Sequence, residues 1–374
     1  MAGIAQFLIV GAVTAAVTLL ATPFTRMLAF RVGAVAAPSA RKVHDQPTPS
    51  LGGLAMLCGI AAGLITAWVM GTFEAIFRSF SDIAGVVVAA LIIFAVGLLD
   101  DIREVSAPAK VAGIVLSGVV LALAGVSLLW FRVPFTGFIQ LSADLSVVLT
   151  VVWLLVIANA INLIDGLDGL AGGIVAIASG TFFLYSIQLG SEGLLFESNP
   201  GPLLAILTVG ASLGFLPFNM HPAKTFMGDS GALLLGLMLA ASTVSVGGRI
   251  DQAVSGQVFF FFFAPLIIPL LLLGVPLVDM ALAVARRASR RVSLSAPDKE
   301  HLHHRLMRLG HGHRRTVLIL WAWTTLLCGV VLFSTITRSG EAALPFAGGA
   351  FALLLFTIFN PGVGRREPQQ ATAE

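Results

Sequence analysis

Charge is scarce in this chain. Charged residues make up 11% of its 374 positions and hydrophobic residues 57%, whereas an ordinary soluble domain is about one quarter charged. That shortage excludes a string of soluble domains, although length alone would suggest two or three of about 150 residues each. Cysteine is nearly absent: Cys58 and Cys328 lie inside apolar runs and form neither a pair motif nor a metal spacing. A disulfide framework is therefore excluded, and both are expected to be small core residues. No basic residue precedes the first apolar run, and Arg26 and Arg31 follow it. A secretory signal would carry its positive charge in front, so a retained helix is expected. Also missing are a GxxxxGK[ST] loop and a GxGxxG turn ahead of a helix, the usual cradles for nucleotide phosphates.

What is present is oil in lengths of about 20 residues, each enough to cross about 30 Å of hydrocarbon. Charge-free spans at 3–22, 51–70, 83–99, 111–131, 145–163, 170–189, 201–217, 230–248, 254–278, 316–337 and 342–360 predict eleven crossings. The expectation is an all-α integral membrane protein. Residues 1–360 form one polytopic domain, and 361–374 form a disordered cytoplasmic tail. The span at 254–278 carries Pro265, Pro269 and Pro276, which predict a kinked or broken helix.

An odd number of spans puts the termini on opposite sides. Of the 22 lysines and arginines, all but Arg78, Arg132, Arg249 and Arg338 fall in the loops at 23–50, 100–110, 218–229 and 279–315 or in the C-terminal tail. The positive-inside rule then places the N-terminus outside and the C-terminus in the cytoplasm. A pI near 9.2 needs no nucleic acid, because a basic face on an anionic leaflet accounts for it. All seven histidines (His44, His221, His301, His303, His304, His311 and His313) and every acidic motif of interest sort to that same side. A structural protein would not require this gathering, whereas an active site at the cytoplasmic membrane surface does.

Five stretches form that face. PSARKVHDQPTPSLGG places Arg41, Lys42 and His44 before a proline-rich turn and a helix start at Gly52-Gly53, which suits an anion. LLDDIREVSAPAK sets Asp100 and Asp101 at a helix C-terminus, where paired acids oppose the macrodipole unless a cation offsets them; Lys110 opens the next span. In NAINLIDGLDGLAGG, Asn159, Asn162 and Asp165 recur every three residues and share a broad face, with Asp168 following among glycines. Buried amides can bond a neighbouring helix, but two carboxylates in this setting need partners. FNMHPAKTFMGDSGALLLG brings Asn219, Lys224, Phe226 and Asp229 ahead of another helix; its GDSG matches a serine-protease signature by chance, since these spans build no β-barrel. DKEHLHHRLMRLGHGHRR packs His301, His303, His304 and Arg305 into five residues. The spacing is not HExxH and the loop has no cysteine, so phosphate binding suits it better than zinc.

Carboxylates able to hold Mg²⁺, basic groups, an aromatic ring and a membrane edge together suit phosphoryl transfer from a soluble nucleotide donor to a lipid phosphate. A secondary transporter would place ionisable groups near the bilayer midplane, and these spans have none. An intramembrane prenyltransferase would use aspartate-rich motifs on Mg²⁺, but DDIRE lacks a second close aspartate and leaves the histidine loop without a role.

These motifs, in this order over residues 40–315, resemble those of the bacterial polyprenyl-phosphate N-acetylhexosamine-1-phosphate transferases. The resemblance implies about eleven helices, a cytoplasmic site, and Mg²⁺ as cofactor with Mn²⁺ as the alternative. Its partners would be UDP-GlcNAc, undecaprenyl or decaprenyl phosphate and the bilayer, with room for a homodimer and no nucleic acid. It implies that Asp100, Asp101, Asp229 and His303 are catalytic, with Asp100 the candidate base for the lipid phosphate. Asp101, Asp165 and Asp229 would be the metal ligands. Lys42, His44, Lys110, Asn162, Asp165, Asp168, Asn219, Lys224, Phe226, His304 and Arg305 would bind substrate, with Phe226 stacking on the nucleotide base. Ala232 stands where the family often has serine. The HLHHR form resembles the branch that transfers GlcNAc-1-phosphate in the bacterial inner or plasma membrane, the first membrane step of an envelope polysaccharide. The branch using UDP-MurNAc-pentapeptide ranks second.

Overall fold

The computed structural model describes residues 2–36, 47–78, 80–103, 105–133, 137–247, 270, 273–289, 305–307, 309–337 and 344–359. Within them the chain is built of α1 (Ile4–Val32), α2 (Gly52–Val69), α3 (Glu74–Arg78), α4 (Phe80–Arg103), α5 (Ala107–Leu123) and α6 (Ala143–Ile164). After these come α7 (Leu170–Ser191), α8 (Gly201–Asn219), α9 (Gly228–Gly247), α10 (Gly274–Ser289), α11 (His313–Thr337) and α12 (Leu344–Phe359). The strands are short: β1 (Val35–Ala36) pairs antiparallel with β2 (Thr48–Pro49), and β3 (Trp130–Val133) with β4 (Gly137–Gln140). Among the described residues, α1, α2, α4, α6, α7, α8, α9 and α11 are long and apolar enough to cross a membrane, and α5 and α12 are shorter apolar helices. The architecture is that of an all-α membrane protein.

Ten of the eleven expected spans contain one of these helices. The expected span at 254–278 lies outside the described residues apart from Leu270 and 273–278, and the tail at 361–374 lies outside them altogether. Three boundaries differ from expectation. The first helix continues through Pro23 to Val32 and ends only at Gly33, whose φ of 78° is the left-handed cap conformation that favours glycine. The fourth apolar helix stops at Leu123, short of residue 131, and Gly125 turns the chain with φ 108° toward the β3–β4 pair. Helix α10 runs to Ser289, through positions expected to form a loop; Pro276 sits in its first turn, where a missing N–H costs nothing.

Helix α9 stands at the centre. Every residue from Ser230 to Gly247 is buried, and α2, α4, α6, α7 and α8 all pack against it. A helix apolar all round can be enclosed all round, and its N-terminus then carries Asp229 into the middle of one end of the bundle.

Close packing elsewhere depends on small residues. Thr14, Thr18, Thr22 and Thr25 form a buried stripe on α1, with Thr14 and Thr22 hydroxyls satisfied by carbonyls four residues back. This stripe meets Gly59 and Gly63 of α2 and Gly210 and Gly214 of α8, the small-residue contact that lets membrane helices approach. Large apolar side chains point outward instead, among them Leu20, Phe24 and Trp68, as contact with hydrocarbon tails demands.

Candidate active site

Two charges set against their own helix dipoles resolve each other. Asp100 lies at the C-terminal end of α4 and Lys110 in the first turn of α5, each the wrong sign for its helix end. Lys110 Nζ lies 2.7 Å from Asp100 Oδ2 and also donates to Asp229 Oδ2 at the start of α9. The other Asp229 oxygen accepts from Asn162 Nδ2 at 3.0 Å, and the other Asp100 oxygen from the Val105 N–H at 2.6 Å. Four helices thus contribute to one network that remains partly exposed, with Asp229 28% accessible.

Asp101 faces a different partner. Its Oδ1 accepts from the Asp229 N–H at 2.7 Å, and its Oδ2 from the Ser230 N–H at 3.1 Å and the Ser230 hydroxyl at 2.7 Å. A carboxylate at the end of α4 therefore caps the N-terminus of α9, where the dipole favours negative charge. Both oxygens of this expected metal ligand are engaged in fixing the backbone that carries Asp229. The turn is tight: Gly228 has φ 70°, and a Cβ there would strike the Asp101 carboxylate.

Asp165 follows the end of α6. Its carboxyl is pushed up to about 8, first by enclosure among the helix ends and then by the charges of Asp229, Asp101 and Asp168. Crowded carboxylates of this kind fit a hard divalent cation, which takes oxygen ligands and offsets their repulsion. Asp165 and Asp229 are candidates to serve it, with Lys110 and Asn162 already bonded to the two Asp229 oxygens as Asp101's are to the start of α9.

The other expected site residues are placed as follows. Asn219 is buried; its Oδ1 accepts from the Gly169 N–H at 3.0 Å and its Nδ2 donates to the Thr225 carbonyl at 3.2 Å. It fastens the α6–α7 turn to the α8–α9 loop. Phe226 is half-buried, its main chain held between the Pro49 carbonyl and the Gly52 N–H, three residues before Asp229. The Lys224 and Arg305 side chains are exposed. Lys42, His44, His303 and His304 lie outside the described residues.

Asp168 is almost fully buried and turns to residues the motif reading left out. Its Oδ2 lies 2.8 Å from His221 Nδ1 and 3.9 Å from His313 Nε2, and accepts from the Ala223 N–H at 3.0 Å. The two imidazoles stack with centroids 4.1 Å apart, and Arg314 donates to the His221 carbonyl at 3.2 Å. Both histidines stand inside motifs quoted from the sequence, but neither was singled out there as a site residue. Ser230 was also missed, its hydroxyl hidden in the chance GDSG match.

Residues 83–247 match the model of glycosyl transferase family 4, a segment holding Asp100, Lys110, Asn162, Asp165 and Asp229. The decaprenyl-phosphate N-acetylglucosaminephosphotransferase of Mycobacterium tuberculosis (strain ATCC 25618 / H37Rv) is 40% identical over 335 residues, 88% of this chain and 81% of that protein. The protein of the same name from Mycolicibacterium smegmatis is 37% identical over 360 residues, 94% of this chain and 88% of its own. A phospho-N-acetylmuramoyl-pentapeptide-transferase of Mycobacterium leprae is 32% identical over 326 residues, 78% of this chain and 85% of its own. Identity sustained over so much of both partners, with the bonded acids and amide inside the matched segment, makes this chain a member of glycosyl transferase family 4.

Proposed function

We propose that the chain transfers GlcNAc-1-phosphate from UDP-GlcNAc to a polyprenyl phosphate at the cytoplasmic face of the bacterial cell membrane. An oxygen of the lipid phosphate attacks the β-phosphorus of the donor, the bond to the bridging oxygen breaks, and UMP leaves. The product is polyprenyl-diphosphate-GlcNAc, a starting lipid for an envelope polysaccharide. The observation that carries this reading is the bonded group of Asp100, Lys110, Asn162 and Asp229 at the helix ends, in a chain whose relatives are named for that transfer.

The roles of Lys110, Asn162, Asp101 and Ser230 rest on their contacts, and those of the other residues on the motifs that hold them. Lys110 and Asn162 hold the Asp229 carboxylate in one orientation, and Asp101 with Ser230 fixes its backbone. Asp100 is the base that receives the proton of the lipid phosphate. Phe226 stacks on the nucleobase. Lys42, His44, Lys224, His303, His304 and Arg305 bring cationic and imidazole groups to the donor's pyrophosphate. Mg²⁺, or Mn²⁺ in its place, would be held by Asp165 and Asp229 and would neutralise charge developing on the transferred phosphoryl group.

Purified protein supplied with polyprenyl phosphate, Mg²⁺ and radiolabelled UDP-GlcNAc should release UMP and form a labelled lipid. UDP-MurNAc-pentapeptide should give neither product. Turnover of the pentapeptide donor alone would move the chain to the second branch, to which the 32% identical relative belongs.

A further inference from the structure

His311 belongs to the histidine-rich stretch, yet it is 1% exposed and so out of reach of a substrate. It is held in three directions at once. Its main-chain N–H donates to the Leu306 carbonyl at 3.3 Å, and the Gly310 N–H to the Met307 carbonyl at 3.0 Å, with Gly310 at φ 89°. These two bonds close a helical turn through a left-handed glycine, and the turn so closed carries Arg305. The His311 carbonyl accepts from the Thr316 hydroxyl at 3.4 Å, in the first turn of α11. Its ring Nε2 donates to the Thr357 carbonyl of α12 at 3.0 Å.

That carbonyl needs a donor from outside its own helix. It lies in the last turn of α12, and the position from which an α-helix would supply its N–H is Pro361, which has none. Arg315 adds a second link to the same end of α12, its guanidinium carbon 6.0 Å from the centre of the Phe356 ring. On the other side of the α11 start, Arg314 donates to the His221 carbonyl, in the loop that leads to Phe226 and Asp229. We propose that His311 is a positioning residue for donor binding, the point through which the last helix holds the Arg305 turn and the start of α11 in place. Its part in donor binding rests on Arg305 being a contact for the donor's pyrophosphate, as proposed above. A helix that contributes no group to the chemistry thereby sets how tightly the donor is held.

Amide hydrogen exchange on full-length protein in detergent reads the anchor with no donor present, and donor KM reads its use. His311→Leu keeps the bulk of the side chain without its N–H, so the amides of residues 309–311 should exchange faster. KM for UDP-GlcNAc should rise by about 5- to 10-fold, the scale of one buried hydrogen bond, with kcat and the KM for polyprenyl phosphate little changed. A merely structural residue would lower the amount of active enzyme, seen in kcat, and leave donor KM alone. His311→Gln, which presents an N–H at similar reach, should recover most of the donor affinity. Phe356→Ala, which removes the second link from an exposed position on α12, should raise donor KM in the same direction, and decides the matter if His311→Leu fails to fold. Unchanged exchange or unchanged donor KM in His311→Leu overturns the proposal, as does a His311→Gln variant no better than His311→Leu. If the unmodified protein releases no UMP from UDP-GlcNAc, the transferase reading falls, and exchange alone decides whether His311 anchors the turn.

Discussion

Asp229 and Asp101 are separated by a single hydrogen bond and should fail differently. Asp229 offers its carboxylate to Lys110 and Asn162 on the open side of the site, so Asp229→Asn removes negative charge where substrate and cation arrive. Turnover should fall by at least about 100-fold, the scale of losing an acid–base or metal group, with the thermal midpoint little changed. Asp100→Asn should behave likewise. Asp101 accepts three hydrogen bonds from the first turn of α9, and bonds to a charged acceptor contribute about 1.5–3 kcal/mol each. Asp101→Asn turns an amide donor toward N–H groups, and should lower both the thermal midpoint and turnover. Ser230→Ala, which loses one of the three bonds, should do so to a smaller degree. Equal midpoints for Asp101→Asn and unmodified protein would remove the capping role. The acids were legible in the sequence because each stands out against an oily background. Which one points into the site was not, because that depends on a contact between residues 128 positions apart.

At the scale of elements, legibility followed the source of the signal. Apolar length marked the helices well, since hydrocarbon demands it and little else produces it. Their partners were hidden, because helices in lipid associate through small residues and shape, and glycine is spread throughout the chain. The Asp168–His221–His313 group shows the same limit: it exists only once the start of α11 is packed beside α7, as Trp321 does by donating to the Leu170 carbonyl. Two glycines test the packing account. A Cβ on Gly214 of α8 would collide with the Ala15 carbonyl of α1 and lie 2.9 Å from Thr18 Cβ. Gly214→Ala should therefore cost about 1–3 kcal/mol through overpacking. A Cβ on Gly180 of α7 meets only Val209 Cγ2 at 3.8 Å, an ordinary contact, and alanine is the better helix former by about 1 kcal/mol. Gly180→Ala should leave the thermal midpoint unchanged or raise it. If the two variants melt together, backbone approach does not limit α1–α8 packing.

For the whole molecule, charge sets the orientation we propose. Arg26 and Arg31 lie near the end of α1, Arg103 at the end of α4, Arg286 and Arg287 at the end of α10, and Arg314 and Arg315 at the start of α11. Among the described residues the opposite end holds Arg78, paired with Glu74 at 3.1 Å, and Arg132 of β3. Each lysine or arginine near an anionic leaflet contributes about 1 kcal/mol of attraction, so an inverted insertion would forfeit several such terms at once. Orientation also decides function, because a nucleotide-sugar donor is met on the cytoplasmic side. Single cysteines can test it. With Cys58 and Cys328 replaced by alanine, Ser106→Cys reports on the exposed α4–α5 turn beside the site, and Ser198→Cys on the exposed α7–α8 loop at the other end. A membrane-impermeant maleimide added to intact cells should label Ser198→Cys and spare Ser106→Cys, with the pattern reversed in inverted vesicles. Labelling of Ser106→Cys from outside would place the Asp229 network on the wrong side of the membrane for its donor, and would sink the proposed reaction together with the topology.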